Sequence, residues 1–286
     1  MWTAGLSEWF ELNGRHALPW RLTTDPWAVL VSEMMLQQTS VARVLPRWTR
    51  FVERWPTAAA CATASLADVL REWEGLGYPR RARALWLVAA RVVEHGWPAD
   101  EVGLRTLPGV GAYTARALLA FSDVGTLAAD PPRDVNLARV AARAGLGCEP
   151  QESTPSRLDA VLREGQPAQL SVRAYTYALF DVGAAHCRAR PLCSGCPLVD
   201  SCAWRGRAVG LPAAPRPVQR SYRGSLRQLR GAILAQALRS PAASPAAVAT
   251  AVSAVPDASP ERVRSALDGL VSDGLIPADW ARGARI

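Results

Sequence analysis

The sequence predicts an all-α protein, and three observations indicate this class. Apolar residues recur every three or four positions through most of the chain. Capping residues, prolines and glycines stand at the ends of these segments, where helices begin and end. No series of segments with strict apolar–polar alternation, which strands would show, competes with them. The hydrophobic fraction of 49% and the charged fraction of 20% are those of a folded globular chain.

In the first half, the clearest helix start is Asp25-Pro26, where an N-cap acid precedes proline at the first helical position. Apolar residues then follow at helical spacing from Trp27 to Met35. A second helix is predicted from Val41 to Trp55, before Pro56. Three more are predicted from Ser65 to near Gly75, over 80–94 and over 112–121.

In the second half, Asp134 is predicted to be the N-cap of a helix that runs through Ala144. Two more helices are predicted near 156–164 and 171–182, and the proline-rich stretch 211–217 reads as a linker. The last segment is rich in alanine and is predicted to form a small helical module that resembles a winged helix. Its predicted helices lie near 225–239, 245–253 and 260–272.

The chain carries a formal charge of +8 and a pI of about 9.7, which favours a polyanionic partner. It contains no lysine, so all 33 basic residues are arginine, which binds phosphates and base edges in bidentate fashion. Without lysine, no side-chain amine is present for Schiff-base chemistry. No apolar run is long enough to span a membrane and no signal peptide is evident. We therefore expect a cytoplasmic protein without a membrane partner.

A group of four cysteines indicates a metal site. Cys187, Cys193, Cys196 and Cys202 fall within 16 positions, in a segment interrupted by proline and glycine. Disulfides rarely persist in the cytosol, so free or metal-bound thiolates are expected there. Thiolate-only ligation at this spacing is typical of zinc sites and of iron–sulfur clusters, and the spacing does not decide between them.

A glycine-containing turn, Leu107-Pro-Gly-Val-Gly-Ala-Tyr-Thr114, precedes the predicted helix over 112–121. Gly109 and Gly111 allow a tight turn that exposes backbone N–H groups at the start of that helix. A helix N-terminus attracts phosphate through these amides and the helix dipole. The pattern predicts a phosphate-binding hairpin, and a plain helix–turn–helix joint is the alternative.

Two carboxylates are candidate catalytic groups. Glu33 lies in an otherwise apolar helix, where burial would raise its pKa and let it hold a proton. Asp134 lies at a predicted helix start, where amide donors would keep it ionised. One protonated acid and one anion are the pair that cleaves a glycosidic bond through an oxocarbenium-like state. Individually, Asp134 would also fit a structural cap, and Glu33 a salt-bridged core residue.

Together these features resemble the helix–hairpin–helix glycosylase superfamily and, most closely, the MutY family of adenine DNA glycosylases, over roughly residues 6–207. The string Ser32-Glu-Met-Met-Leu-Gln-Gln-Thr39 discriminates most, because the endonuclease III branch lacks its glutamate. The other matching motifs are Leu18-Pro-Trp-Arg21, Gly75-Leu-Gly-Tyr78, Leu107-Pro-Gly-Val-Gly111, Asp134-Val-Asn-Leu-Ala-Arg139 and the four cysteines.

The resemblance implies a role for each residue. Glu33 would protonate the departing adenine, and Asp134 would stabilise the positive charge that develops on the deoxyribose. Tyr113 stands where lyase-active relatives place a catalytic lysine, which implies a monofunctional glycosylase that leaves the abasic site uncut. The four cysteines would hold a [4Fe–4S] cluster. The residues implied to contact DNA are Arg21, Gln37, Gln38, Tyr78, Gly109 and Gly111.

The implied fold is the helix–hairpin–helix DNA glycosylase fold. It would place a six-helix domain with the hairpin at 25–130 and an iron–sulfur cluster domain at 1–24 and 131–210. Residues 211–286 would form the linker and the small C-terminal module. The implied partner is double-stranded DNA with a mispaired or damaged base, bound by a monomer, and this partner implies a nucleoid-associated protein.

Departures from the family pattern leave alternatives open. The first cysteine spacing is one residue shorter than usual, and the segment between Tyr113 and Asp134 is about three residues longer, with Asp130 as a rival aspartate. After residue 211 there is no sign of the family's domain that recognises 8-oxoguanine. The predicted function is removal of adenine mispaired with 8-oxoguanine or guanine. A thymine or uracil mismatch glycosylase and a non-catalytic iron–sulfur DNA-binding protein are the alternatives.

Overall fold

A computed structural model describes residues 1–125, 130–205, 221–240 and 242–284, and every regular element within them is helical. The predicted all-α class is confirmed. Among the described helices, none is long and apolar enough to cross a membrane. The predicted linker at 211–217 lies outside the described residues.

The α-helices follow one another along the described chain with short connections. In chain order they are α1 (Leu6–Asn13), α2 (Pro26–Leu36), α3 (Val41–Arg54), α4 (Ala58–Ala62), α5 (Leu66–Glu72), α6 (Arg80–His95), α7 (Glu101–Leu104), α8 (Ala112–Phe121), α9 (Val135–Val140), α10 (Pro155–Glu164), α11 (Val172–Ala185), α12 (Leu226–Arg239), α13 (Pro245–Val252), α14 (Pro260–Ser272) and α15 (Ala278–Gly283). Short 3₁₀ turns lie at Pro19–Arg21 and Pro150–Glu152.

The chain divides into two compact units. The first contains residues 1–37 and 95–215, and the second contains residues 38–94 and 216–286. The three-part division into a six-helix domain, a cluster domain and a C-terminal module stays a prediction.

In the first unit, α2 is the central helix and packs against α8. All its residues from Trp27 to Met35 are buried, so it has no solvent-facing stripe. The Asp25 side chain accepts a hydrogen bond from the Ala28 amide at 2.8 Å, which confirms the predicted helix start. The helix α11 packs against α9, α1 and α8 and closes the other side of this core.

The predicted helix from Asp134 through Ala144 is not uniform. Its α-helical part, α9, is followed by a π-helical turn at Ala141–Leu146, which ends at Gly147 in the left-handed region with φ of 69°. This wide turn contains Arg143, which is buried. Its guanidinium bonds the Glu149 carboxylate at 2.9 Å and the Arg188 carbonyl oxygen at 2.7 Å, so a buried cation is fully engaged.

In the second unit, α12 packs against α13, α14 and α5. Serines at 225, 244 and 259 cap α12, α13 and α14, which confirms the three helices predicted for the C-terminal module. The guanidinium of Arg71 on α5 donates to the Leu238 carbonyl oxygen of α12 at 2.9 Å. The described part of the module is therefore a helical bundle joined to the helices of the second unit.

Candidate active site

Glu33 lies on the buried helix α2 with a relative exposure of 6%. Burial is the largest influence on its carboxyl group and raises its pKa from 4.5 to about 7. A hydrogen bond with Tyr113 and the charge of Arg21 act in the opposite direction, while the charge of Asp134 adds to the increase. The predicted burial and raised pKa are confirmed, so Glu33 can hold a proton near neutral pH.

Tyr113 lies in the first turn of α8, directly after the predicted hairpin. Burial, the charges of Glu33 and Asp134 and the hydrogen bond to Glu33 raise its pKa well above the ordinary value. The hydroxyl is therefore protonated at neutral pH and donates to the Glu33 carboxylate. The turn before it contains Gly109 in the left-handed region, with φ of 73°, and Gly111 as the N-cap of α8. Both glycines are exposed, so this helix start is open to solvent.

Asp134 is the N-cap of α9, as predicted. One carboxylate oxygen accepts from the Asn136 and Leu137 amides, both at 2.8 Å, and the other accepts from the Asn136 side-chain amide at 2.7 Å. These bonds lower the pKa of Asp134, but burial contributes more, and the pKa is raised above its ordinary value. The carboxylate is held by three donors in an enclosed position whose charge acts on Glu33.

Asp130, the rival aspartate, lies elsewhere. Its carboxylate forms a 3.0 Å ion pair with Arg163 of α10, and both side chains are partly open to solvent. Asp134, not Asp130, is the aspartate whose charge acts on both Glu33 and Tyr113.

A buried ion cluster lies near Glu33, and the sequence reasoning missed it. Asp181 of α11 binds the Arg21 guanidinium in bidentate fashion at 2.8 and 2.9 Å, and Arg15 Nε at 2.6 Å. The Arg21 guanidinium also lies 4.3 Å from the centre of the Tyr177 ring. Asp181 and its arginines are more than 150 positions apart, so no local pattern marks the cluster. Arg21 is 6% exposed and contributes positive charge to the Glu33 site; its DNA contact stays a prediction.

The other predicted DNA contacts lie at the end of α2 and before α6. Gln37 is the C-cap of α2, and Gln38 has a left-handed backbone with φ of 56°. Tyr78 also has a positive φ of 49°, and its side chain is 41% exposed. Left-handed backbone is rare for residues other than glycine and clusters at functional positions. Gln37 belongs to the first unit, and Gln38 and Tyr78 to the second, so their contacts with DNA stay predictions.

The four cysteine side chains line one cavity. Burial is the main cause that raises the pKa of Cys196 to about 11. The other three cysteines raise this pKa as well, because nearby thiolates repel one another. Burial raises the pKa of Cys187, and the charge of Arg143, which also lines the cavity, acts in the opposite direction. Among the described residues, no group of three His, Cys, Asp or Glu side chains is placed so that it could hold a metal ion. Four thiols around one cavity beside a buried guanidinium are nevertheless a donor set that fits a thiolate-bound metal group.

A line of hydrogen bonds runs from Asp134 to the cysteine segment. Asn136 donates to Asp134, and Arg139 donates to the Asn136 side-chain oxygen at 2.7 Å. The same guanidinium donates to the Cys187 carbonyl oxygen at 2.5 Å. The position of the catalytic candidate Asp134 therefore depends on the backbone that presents the first cysteine.

Comparisons with known proteins agree with this geometry. Residues 31–164 match the family model described as HhH-GPD superfamily base excision DNA repair protein. The adenine DNA glycosylases of Mycolicibacterium smegmatis and Mycobacterium tuberculosis are 41% and 42% identical, each over 95% of this chain and over 91% and 88% of their own lengths. The solved structure of a thermostable thymine-DNA glycosylase has a TM-score of 0.62 and 23% identity, over 72% of this chain and 95% of that one. At this identity the likeness shows the fold alone.

Proposed function

Because the chain belongs to the adenine DNA glycosylase family of the helix–hairpin–helix superfamily, we propose that it excises adenine mispaired with 8-oxoguanine or guanine in double-stranded DNA. One observation supports this proposal above the others. Glu33, with a pKa of about 7, is hydrogen-bonded to Tyr113 and lies within the electrostatic influence of Asp134. This is an acid beside an anion in an enclosed site, as cleavage of a glycosidic bond requires.

The proposed reaction begins with adenine outside the base stack, because its glycosidic bond cannot be reached inside a duplex. The Glu33 carboxyl group transfers its proton to a ring nitrogen of adenine as the C1′–N9 bond breaks. The bonding electrons leave with the base. Tyr113 orients the carboxyl group through its hydrogen bond. The enclosed site strengthens each of these electrostatic interactions relative to water.

Bond cleavage leaves positive charge on the deoxyribose, and the Asp134 carboxylate stabilises it. Three hydrogen bonds fix this anion before the reaction, so it needs no reorganisation as the charge develops. A water molecule then adds to C1′ and loses a proton to the Glu33 carboxylate, which restores the acid and yields an abasic site and free adenine. Without lysine, the chain has no side-chain amine to attack C1′ and cut the strand.

We also propose that Cys187, Cys193, Cys196 and Cys202 hold a [4Fe–4S] cluster. Their shared cavity and all-sulfur donor set support this cofactor. When bound, the cluster would serve as a structural cross-link of the segment from 187 to 202. Protein purified without oxygen should be brown, with broad absorbance near 400 nm. A colourless preparation with stoichiometric zinc would contradict this proposal.

The function is tested with the purified full-length chain in single-turnover excision assays. The panel contains duplexes with adenine opposite 8-oxoguanine, guanine or thymine, and with thymine or uracil opposite guanine. Alkali then cuts the strand at each abasic site. We expect excision of adenine opposite 8-oxoguanine and guanine and little opposite thymine.

Two outcomes would overturn the proposal. Excision of thymine or uracil without excision of adenine would assign the chain to mismatch repair of the other bases. Binding of every duplex without any excision would assign it to a non-catalytic DNA-binding role.

A further inference from the structure

The segment that leads into Asp134 is held on α10 by ion pairs. Arg133, the residue directly before Asp134, donates from Nε to Asp159 Oδ1 at 2.5 Å. Three residues before Arg133, Asp130 accepts from Arg163 at 3.0 Å. Asp159 and Arg163 stand four positions apart on α10, which places them on one face of that helix. The two pairs therefore hold both ends of this segment against α10.

The two ion pairs differ in burial. The side chains of Asp159 and Arg133 are 14% and 24% exposed, whereas those of Asp130 and Arg163 are 34% and 54% exposed. Ion pairs that are open to solvent contribute little to stability, because water screens their charges. Breaking an enclosed pair costs more, because it leaves an uncompensated charge behind. The pair between Arg133 and Asp159 is therefore the stronger constraint on the segment.

The same carboxylate of Asp159 also holds α8, the helix that follows the hairpin. Its other oxygen, Oδ2, accepts from Arg116 Nη1 of α8 at 3.0 Å. Arg116 is fixed from a second side, because its Nε donates to the Glu101 carboxylate of α7 at 2.9 Å. Arg116 lies about one turn after Tyr113 on α8. One carboxylate thus joins the helix that carries Tyr113 to the residue before Asp134.

The helix α10 is a firm support for this carboxylate. Its start is capped by the Thr154 side chain, and its buried residues are Leu158, Val161 and Leu162. Burial acts to raise the pKa of Asp159, but the hydrogen bonds and charges of its two arginines outweigh burial and lower the pKa. The side chain is therefore ionised at neutral pH and attracts both arginines.

We propose that Asp159 is a positioning residue for base excision and fixes Asp134 relative to Glu33 and Tyr113. It acts through the two arginines that it binds, since Asp134 is capped on α9 and Tyr113 belongs to α8. The inference rests on the proposed function, in which Asp134 stabilises the charge that develops on the sugar. Misplacement of such a group by about 1 Å can cost a factor of about 10² in rate.

Two variants break the link in different ways. Asp159→Asn leaves two partly enclosed guanidiniums, Arg116 and Arg133, which then repel each other. Arg133→Gln removes one of these cations together with its bond, so it loosens Asp134 without adding repulsion. Single-turnover excision at saturating enzyme should fall by a factor of about 10 to 100 in Asp159→Asn, and by less in Arg133→Gln. Asp159→Glu keeps the charge and should recover most of the rate.

The pH profile of excision distinguishes positioning from a loss of stability alone. The groups that act on Glu33 are Tyr113 of α8, Asp134 before α9 and Arg21, and Glu33 in turn acts on Tyr177 of α11. Among them, the charge of Asp134 raises the pKa of Glu33. A displaced Asp134 should therefore lower this pKa, and the midpoint at which excision declines should move to lower pH.

The direction of the shift separates this effect from a direct effect of the altered charges. Positioning predicts a lower midpoint in both Asp159→Asn and Arg133→Gln. A direct effect predicts opposite shifts, because one variant removes an anion and the other removes a cation. The matched control is Asp130→Asn, which breaks the exposed pair between the same segment and α10. Its rate and its midpoint should match those of wild type.

Three results would overturn the proposal: a wild-type rate in either variant, a lower rate with an unmoved midpoint, or shifts of opposite sign. Circular dichroism identifies the variants that fold. If Asp159→Asn does not fold, Arg133→Gln decides the question by its rate and its midpoint. All rates are measured on whichever base of the panel the wild type excises, so rejection of adenine as the substrate leaves this test intact.

Discussion

Tyr113 donates a hydrogen bond to Glu33, and the two side chains come from different helices, α8 and α2. This hydrogen bond lowers the pKa of Glu33, whereas burial on α2 raises the pKa by a larger amount. These are the two largest influences on the pKa of about 7, to which the charges of Asp134 and Arg21 also contribute. The pKa of Glu33 is therefore held near neutral pH by burial on α2 and by the hydrogen bond from α8, the helix that follows the hairpin.

The first prediction concerns the proton donor. Glu33→Gln preserves the size and polarity of the side chain but removes its acidic proton. Loss of one positioned acid costs a factor of about 10² to 10⁴ in rate, so single-turnover excision should fall by that amount. Binding to the mispaired duplex should persist, since the hairpin amides are untouched. Excision within threefold of wild type would contradict the assignment of Glu33.

The second prediction concerns pH. The acid must be protonated, and its pKa is about 7, so the excision rate constant should fall as pH rises through about 7. Tyr113→Phe removes a hydrogen bond that lowers this pKa, and the midpoint of the decline should therefore move to higher pH. Rate profiles of the two proteins between pH 5.5 and 9 provide the measurement. A midpoint that stays in place or moves down would refute the balance described above.

The third prediction concerns stability. The folded pKa of Glu33 is raised from 4.5 to about 7, so folding favours the protonated form. The resulting contribution of Glu33 to the free energy of unfolding is fully present below pH 4.5 and is lost as pH rises through about 7. At 1.36 kcal/mol per pKa unit, the loss is about 3 kcal/mol. Urea unfolding of wild type and Glu33→Gln at pH 5 and pH 8 provides the measurement. Between these pH values, the free energy of unfolding of the variant should rise relative to that of wild type by roughly this amount. Parallel pH dependences would be inconsistent with a buried acid.

The fourth prediction separates the two aspartates. Asp134→Asn removes the anion beside the reacting sugar, and excision should fall by about 10² or more. Asp130→Asn serves as the control, because Asp130 pairs with Arg163, whereas Asp134 is the aspartate whose charge acts on Glu33. Its excision rate should match that of wild type. The opposite pattern would place the catalytic aspartate at 130.

The fifth prediction concerns strand cleavage. Because the chain has no lysine, borohydride should trap little covalent adduct between protein and DNA during excision. A lysine-dependent bifunctional glycosylase on the same duplex provides the positive control. Efficient trapping would mean that the N-terminal amine reaches C1′ and that the enzyme is not monofunctional.

Several elements of the fold were predictable because their signals are local. Asp25 followed by Pro26 specifies the start of α2, and the serine caps specify α12 to α14. By contrast, α1 was missed because its N-cap is Gly5 in a left-handed conformation, with no side-chain cap bond. The π-helical turn at 141–146 was missed because its apolar pattern does not differ from that of a continued α-helix.

The same distinction between features with a local signal and features without one applies to the candidate site. The burial of Glu33 follows from the apolar residues around it on α2, and the cap at Asp134 follows from the residues after it. The ion cluster around Asp181 depends on residues that approach one another only in the folded chain. The pairing of Tyr113 with Glu33 also joins distant positions; the resemblance to a known family indicated both as site residues but not their pairing.

Residues 201–256 contain eight arginines and no aspartate or glutamate, and this has a consequence for how the enzyme searches for its target. Almost all DNA that a repair enzyme meets is intact, and it is scanned by sliding and hopping held by salt-sensitive attraction. The candidate catalytic residues lie in the rest of the chain, where 25 arginines face 25 acidic residues. We expect changes in the arginines of this stretch to alter the length of each scan and to leave the turnover of a found lesion unchanged. Search and repair could then evolve at separate rates in the same chain.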